Sequence, residues 1–130
     1  MIINFSVRNF RSIKDEQTLS FEASKNTDYE EYMVINAGKY RLLKMAALYG
    51  NNASGKTNVL IALVCLRELI TNTRERGTQL PFWPFMFDEQ TVKKNCRMTI
   101  EFLTRTEDGF KKYRYCIEFN KQAIVREKLD

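Results

Sequence analysis

The sequence predicts an α/β fold in which a strand–loop–helix unit is flanked by antiparallel strands, and three observations carry that expectation. The run Leu42 to Tyr49 is mostly apolar and leads directly into Gly50, as suits a strand covered on both faces of a sheet. Residues 57–72 hold no glycine or proline and keep apolar residues at helical spacing, which predicts a helix over about 56–72. Segments 2–8, 18–23, 96–102 and 113–119 alternate apolar with polar residues, the pattern of half-buried strands.

Taken in order, Ile3, Phe5 and Val7 share one face of the first strand, and Leu19, Phe21 and Ala23 one face of the second. The polar stretch Lys14-Asp15-Glu16-Gln17 joins them as an antiparallel pair. A polar linker over 24–31 and a turn at Ala37-Gly38 follow. Val59 to Leu66 is apolar all round, which predicts a largely buried helix whose wetter end carries Arg67, Glu68 and Thr71. Over 73–95 the regularity breaks, with Gly77, Pro81 and Pro84 flanking Phe82, Trp83, Phe85, Met86 and Phe87. Cys96, Met98, Ile100 and Phe102 then alternate with Arg97, Thr99 and Glu101, and Tyr113, Tyr115, Ile117 and Phe119 with Arg114, Cys116 and Glu118. Glu107-Asp108-Gly109 links the two as a hairpin, and a third strand near 123–127 follows a turn at Asn120-Lys121, so that antiparallel strands fill about 96–127. The chain ends at Lys128-Leu129-Asp130 without a helix cap or polar tail, as one cut in mid-fold would.

Composition narrows the chemistry. A chain of 130 residues is one domain or part of one. It has no histidine, which removes every Ser-His or Cys-His nucleophile arrangement. Its three cysteines, Cys65, Cys96 and Cys116, show no C-x-x-C spacing, so they read as reduced thiols in or near the core rather than zinc ligands. The N-terminus lacks a basic region followed by a long apolar stretch, and no apolar run is long enough to cross a bilayer, so a cytoplasmic protein without membrane contact is expected. The net charge of +5 is spread over small clusters such as Arg8/Arg11/Lys14 and Lys93/Lys94/Arg97. Such clusters are more often solvated faces than nucleic-acid sites, and DNA remains an open partner.

The chemistry concentrates in Gly50-Asn51-Asn52-Ala53-Ser54-Gly55-Lys56-Thr57, which has the form of a P-loop. Such a loop wraps successive backbone N–H groups around a phosphate at the start of a helix, where the dipole adds attraction. Glycines at positions 50 and 55 permit conformations and close approach that a side chain would obstruct. Lys56 is spaced to reach the β- and γ-phosphates, and the Thr57 hydroxyl to ligate the Mg²⁺ that bridges them. The four defining positions arise by chance in a chain this long with a probability of roughly half a per cent.

Within that loop Asn52, Ala53 and Ser54, with Asn58 just after it, resemble the G-x-N-(G/A)-S-G-K-(S/T)-N form of ABC-type ATPase heads of the SMC and RecF kind. The opening Ile3-Asn4-Phe5-Ser6-Val7-Arg8-Asn9-Phe10-Arg11-Ser12 resembles the first strand of those heads. Leu42-Leu43-Lys44 before the loop, the Pro84-Phe85-Met86-Phe87-Asp88 segment and Tyr113-Arg114-Tyr115 are similar to bacterial AAA-family, OLD-like ATPases, many of them antiphage-defence proteins. The resemblance implies the N-terminal part of one ABC-type head, spanning 1–130. It implies ATP with Mg²⁺, with Gly50 through Asn58 as the nucleotide-binding residues and Arg11 near the nucleotide. It also implies a homodimer formed through the heads, an effector or nuclease partner, and hydrolysis by the intact protein.

The departures concern hydrolysis. Such heads need a Walker B strand ending in Asp-Glu, a signature segment and a switch histidine; the catalytic residues are therefore not assigned. Phe85-Met86-Phe87-Asp88-Glu89 has the look of a Walker B, but Pro81 and Pro84 argue against a central strand there. Trp83 and its neighbouring phenylalanines are more often core than a stacking surface, and Tyr113 and Tyr115 read as packing residues. A nucleotide-binding module that hydrolyses little is the alternative reading. A small P-loop phosphotransferase fits less well, since its strands and helices would alternate throughout.

Overall fold

The computed structural model describes residues 1–25, 28–75 and 77–130. Asn26 and Thr27, in the middle of the expected polar linker, and Arg76, in the irregular stretch, lie outside the described residues. Five strands form one antiparallel sheet in the order β2-β1-β5-β6-β7: β1 (Ile2–Arg8), β2 (Gln17–Ser20), β5 (Cys96–Thr106), β6 (Gly109–Phe119) and β7 (Ile124–Leu129). A separate hairpin is made by β3 (Val34–Ala37) and β4 (Tyr40–Leu43). The long helix α2 spans Lys56–Thr71, and two single turns, α1 (Glu30–Met33) and α3 (Glu89–Val92), sit in the connections.

The longest pairing is β5 with β6, from Cys96 opposite Phe119 to Thr106 opposite Gly109. A turn this tight, with only Glu107 and Asp108 between paired residues, needs positive φ, and Gly109 supplies φ +122°. The alternating residues fall on one face as the sequence predicts: Cys96, Met98, Ile117 and Phe119 are buried, with Ile100 and Tyr115 packed beside them. Phe5 and Val7 of β1 join this face, and α2 covers it with Ala62, Cys65 and Leu66. The outer strand β7 is exposed along its length and carries Arg126, Glu127 and Lys128, charges of the kind that discourage edge-to-edge pairing.

Ile3 departs from its expected row. A bulge between Ile2 and Asn4 shifts the register against β5, so Ile3 leaves Phe5 and Val7 and packs with Ala37, Leu42 and Leu103 in a second cluster. One inserted residue reverses the facing of a strand, a reversal that alternation alone does not reveal. The bulge thereby gives the sheet a second packed face, where the β3–β4 hairpin docks. Backbone hydrogen bonds from Phe21 N to Ile3 O, Ala23 N to Arg41 O and Leu43 N to Phe21 O tie the hairpin to the sheet.

Two further expectations change. The buried strand over 42–49 is not formed: β4 ends at Leu43, and residues 45–50 are irregular, with Tyr49 91% exposed. An extended segment becomes a strand only when a neighbour completes its ladder, and no described segment pairs with this one. The helix is also one-sided rather than largely buried, since Leu60, Val64 and Ile70 are exposed while the sheet covers the opposite face. No helix among the described residues is long and apolar enough to cross a membrane.

Candidate functional site

The site has two walls, and the first is a corner at the end of β1. Asn9 and Arg11 both take left-handed backbone conformations, with φ 54° and 53°. Between them the chain reverses tightly: Phe10 N donates to Ile13 O at 2.9 Å and Ile13 N to Phe10 O at 2.8 Å. Phe10 and Ile13 are buried in the main core, which fixes the corner to the sheet. Asn9, itself 2% exposed, is a hub: its Nδ2 donates to Thr91 O and Lys94 O, both at 2.8 Å, and its Oδ1 accepts from Phe85 N at 2.9 Å. Asn tolerates positive φ better than other residues with a side chain, so one residue both turns the chain and holds the 85–95 segment against it.

The second wall is the glycine-rich loop. Gly55 caps α2 with φ +89°, and a Cβ there would lie 3.2 Å from Ser12 Oγ. A Cβ on Gly50 would lie 3.1 Å from Ser54 Oγ. Ala53 also takes positive φ, at 64°. The loop is cross-linked by Lys56, whose Nζ donates to Gly50 O at 2.7 Å and Asn51 O at 2.6 Å. Asn58 Nδ2 donates to Ser12 Oγ at 2.6 Å, joining the helix's first turn to the corner. The hydrophobic sheet thus determines where the loop sits: β1 anchors the corner, and the corner meets the loop through Ser12.

Between the walls lies a cleft of about 600 Å³, within the size range of small-molecule sites. Gly50, Ser54, Gly55 and Lys56 line it from the loop, and Ser12, Lys14 and Asp15 from the corner. Asn51, Asn52, Ala53 and Thr57 are exposed beside it, and Asn58 stands behind it on the Ser12 bond. Arg11 does not line the cleft; its backbone N–H donates to Trp83 O at 2.6 Å. Ser12 and Lys14 escaped sequence reasoning because they lie about forty residues from the loop, and only the β1 corner brings them there. The one available signal was the cluster of cations at Arg8, Arg11 and Lys14.

Asp88 is not placed as a Walker B carboxylate. Residues 81–87 are irregular, and Phe87 is 90% exposed, whereas a Walker B strand lies in a sheet. Asp88 Oδ1 accepts from Gln90 N at 2.9 Å, capping α3, and Oδ2 pairs with Lys14 Nζ at 2.8 Å. The hydrogen bond from Lys14, with that from the Gln90 N–H, holds the Asp88 carboxyl below the usual range, and the same bond raises the Lys14 ammonium. Trp83 is half-exposed, resting edge-on against Phe10 with ring centroids 6.0 Å apart. Among the described residues Cys65, Cys96 and Cys116 are buried free thiols. Burial pushes Cys65 up to about 11 and raises Cys96 further.

Neither a curated protein nor a solved structure matches the chain. A family model does: residues 45–130 match the one described as "AAA domain, putative AbiEii toxin, Type IV TA system". That match begins just before the glycine-rich loop and runs through α2, α3 and the last three strands. Family membership carries nucleotide binding with it at the level of the family, on a mixed α/β framework of antiparallel sheets and few helices. The chain belongs to this AAA-domain family of P-loop ATPases.

Proposed function

We propose that the chain is the Mg-ATP-binding N-terminal part of an SMC-, RecF- or OLD-like ATPase head. The observation that carries this reading is Lys56. Its ammonium rests on the Gly50 and Asn51 carbonyls at the edge of the cleft, directly where the helix dipole of α2 begins. Two features support a polyphosphate: Gly50 and Gly55 stand where Cβ atoms would press on the cleft-lining Ser54 and Ser12, and α2 starts at Lys56 with N–H groups that no side chain of Gly55 can cap. In this reading Lys56 would hold the β- and γ-phosphates, the N–H groups of 51–57 would cradle them, and the Thr57 hydroxyl on the first turn would hold the magnesium ion. That ion, when bound, neutralises charge across the phosphate oxygens. Arg11 lies one residue from the cleft-lining Ser12 and is the outermost member of the set.

Hydrolysis belongs, on this proposal, to the intact protein, acting as a homodimer of heads with an effector or nuclease partner, in antiphage defence or other DNA transactions. For these 130 residues one observation favours the module reading: Asp88, the Walker-B-like carboxylate, caps α3 through the Gln90 N–H at the end of an irregular segment and does not end a sheet strand. The binding claim is tested by calorimetric titration of Mg-ATP into the wild type and Lys56→Ala. Loss of at least tenfold in affinity is expected, and equal affinities would refute the phosphate-site assignment. Appreciable ATP turnover by this chain alone would refute the module reading.

A further inference from the structure

We propose that Lys14 is a second phosphate-binding cation of the cleft, held beside it by Asp88, which acts as its positioning residue. The inference rests on the polyphosphate reading of the cleft and names a residue outside the glycine-rich loop. Lys14 lies on the partition between two cavities. One is the cleft that it lines with Gly50, Gly55 and Lys56; the other is a polar pocket of about 380 Å³ that it lines with Asp88, Thr91 and Lys94.

Its backbone is fixed. The Phe10–Ile13 reversal precedes it, and Asn9 N donates to its carbonyl at 3.2 Å, so only the four-carbon side chain is free to swing. Its ammonium is held by a partly exposed ion pair with Asp88 at 2.8 Å, and such pairs contribute little and are readily exchanged. A triphosphate offers several negative charges to one carboxylate's single charge, so it competes well for the same ammonium. The cleft also needs the charge: among the described residues Lys56 is its other cation, and Asp15 on the same wall is acidic. Asp88 keeps its place without Lys14, because Oδ1 remains bonded to Gln90 N as the cap of α3. It therefore positions the lysine and does not follow it when the lysine turns to phosphate.

The test is calorimetric titration of Mg-ATP, inorganic tripolyphosphate and AMP into the wild type, Lys14→Met, Lys14→Arg, Asp88→Asn and Lys56→Ala, each checked by thermal melting. Lys14→Met is expected to weaken Mg-ATP and tripolyphosphate about five- to tenfold and AMP less than twofold, with Lys14→Arg restoring affinity to within about threefold. Asp88→Asn is expected to bind as tightly as the wild type or up to about threefold tighter, because it frees the ammonium. Wild-type affinity in Lys14→Met alongside weakened Lys56→Ala would overturn the role of Lys14 and leave the cleft assignment standing. Equal weakening of ATP and AMP would also overturn it, since a loosened corner acts on both. A loss in Asp88→Asn as large as in Lys14→Met would overturn it in favour of a direct role for the carboxylate. Unchanged affinity in Lys56→Ala as well would bring down the cleft reading itself.

Discussion

Asn9→Ala removes the residue that ties the 85–95 segment to the end of β1, and its cost follows from the geometry. The two short bonds from Nδ2, at 2.8 Å to Thr91 O and Lys94 O, and one to Oδ1, at 2.9 Å from Phe85 N, are lost together, with a longer Nδ2 contact to Asn95 O at 3.4 Å. Each leaves a buried or partly buried backbone group without its partner, at about 1 kcal/mol apiece. Alanine at φ 54° adds ~1–2 kcal/mol of left-handed strain. The expected loss is about 4 kcal/mol, a large share of the stability of a small domain. Asn9→Gly loses the same bonds and escapes the strain, but costs ~0.5–1 kcal/mol in backbone entropy. It is therefore expected to land within about 1 kcal/mol of alanine and on the more stable side. Urea unfolding followed by far-UV circular dichroism measures both, with an unchanged denaturant slope as the condition for comparing them. A loss below about 1 kcal/mol in both variants would show that Asn9 does not hold the segment.

Gly55→Ala meets two obstacles, φ +89° and Ser12 Oγ at 3.2 Å from the new Cβ; it is expected to lower stability by ~1–2 kcal/mol and nucleotide affinity at least fivefold, and a wild-type melt with wild-type titration would contradict this. The Lys14–Asp88 pair gives a signed pH dependence. Asp88 is depressed below its ordinary 3.8 and Lys14 raised above 10.5. The Asp88 contribution is therefore complete above its unfolded value and lost as pH falls through the lower folded one, while that of Lys14 is complete below about 10.5 and lost as pH rises past it. The stability difference between wild type and Asp88→Asn should accordingly be flat from about pH 6 to 9 and shrink toward pH 3; a difference that grows in acid would reverse the sign. Cys65, pushed up to about 11 by burial, and Cys96, raised further, should resist Ellman's reagent at pH 8 in the folded chain and react in denaturant; prompt reaction of either in the native state would show an opening the structure does not contain.

The parts of the fold legible in the sequence are those fixed by neighbours along the chain. Alternation in 96–102 and 113–119 places Met98, Ile117 and Phe119 on the covered face, because a strand's period is a local property. Ile3 leaves that pattern for a non-local reason: the bulge that turns it exists only in the pairing of β1 with β5. The same distinction explains residues 45–50. Their apolar character is local, but strand formation requires a ladder partner, and β4 finds one only as far as Leu43. The helix at 56–71 was legible as a helix, whereas how much of it is covered depends on what packs against it.

The candidate site divides along the same line, and Asp88 shows why. Eight consecutive residues, Gly50 to Thr57, specify a loop with glycines where Cβ atoms would intrude on Ser12 and Ser54, so this wall could be read without a structure. Asp88 followed by Glu89 after Phe85-Met86-Phe87 carries the same local pattern as a metal-binding strand end, yet its environment is set elsewhere. Pro81 and Pro84 keep the segment out of any ladder, Asn9 clamps it by the Phe85 N–H, and Lys14 takes the carboxylate. Each of those partners comes from the β1 corner, more than seventy residues earlier in the chain. The carboxylate's role is therefore decided by the corner, and so is that of Lys14, which faces the cleft only because Phe10 and Ile13 are buried beneath it. Removing Lys14 is consequently expected to weaken phosphate affinity and removing Asp88 is not, an asymmetry that a metal-ligand role for Asp88 would not produce.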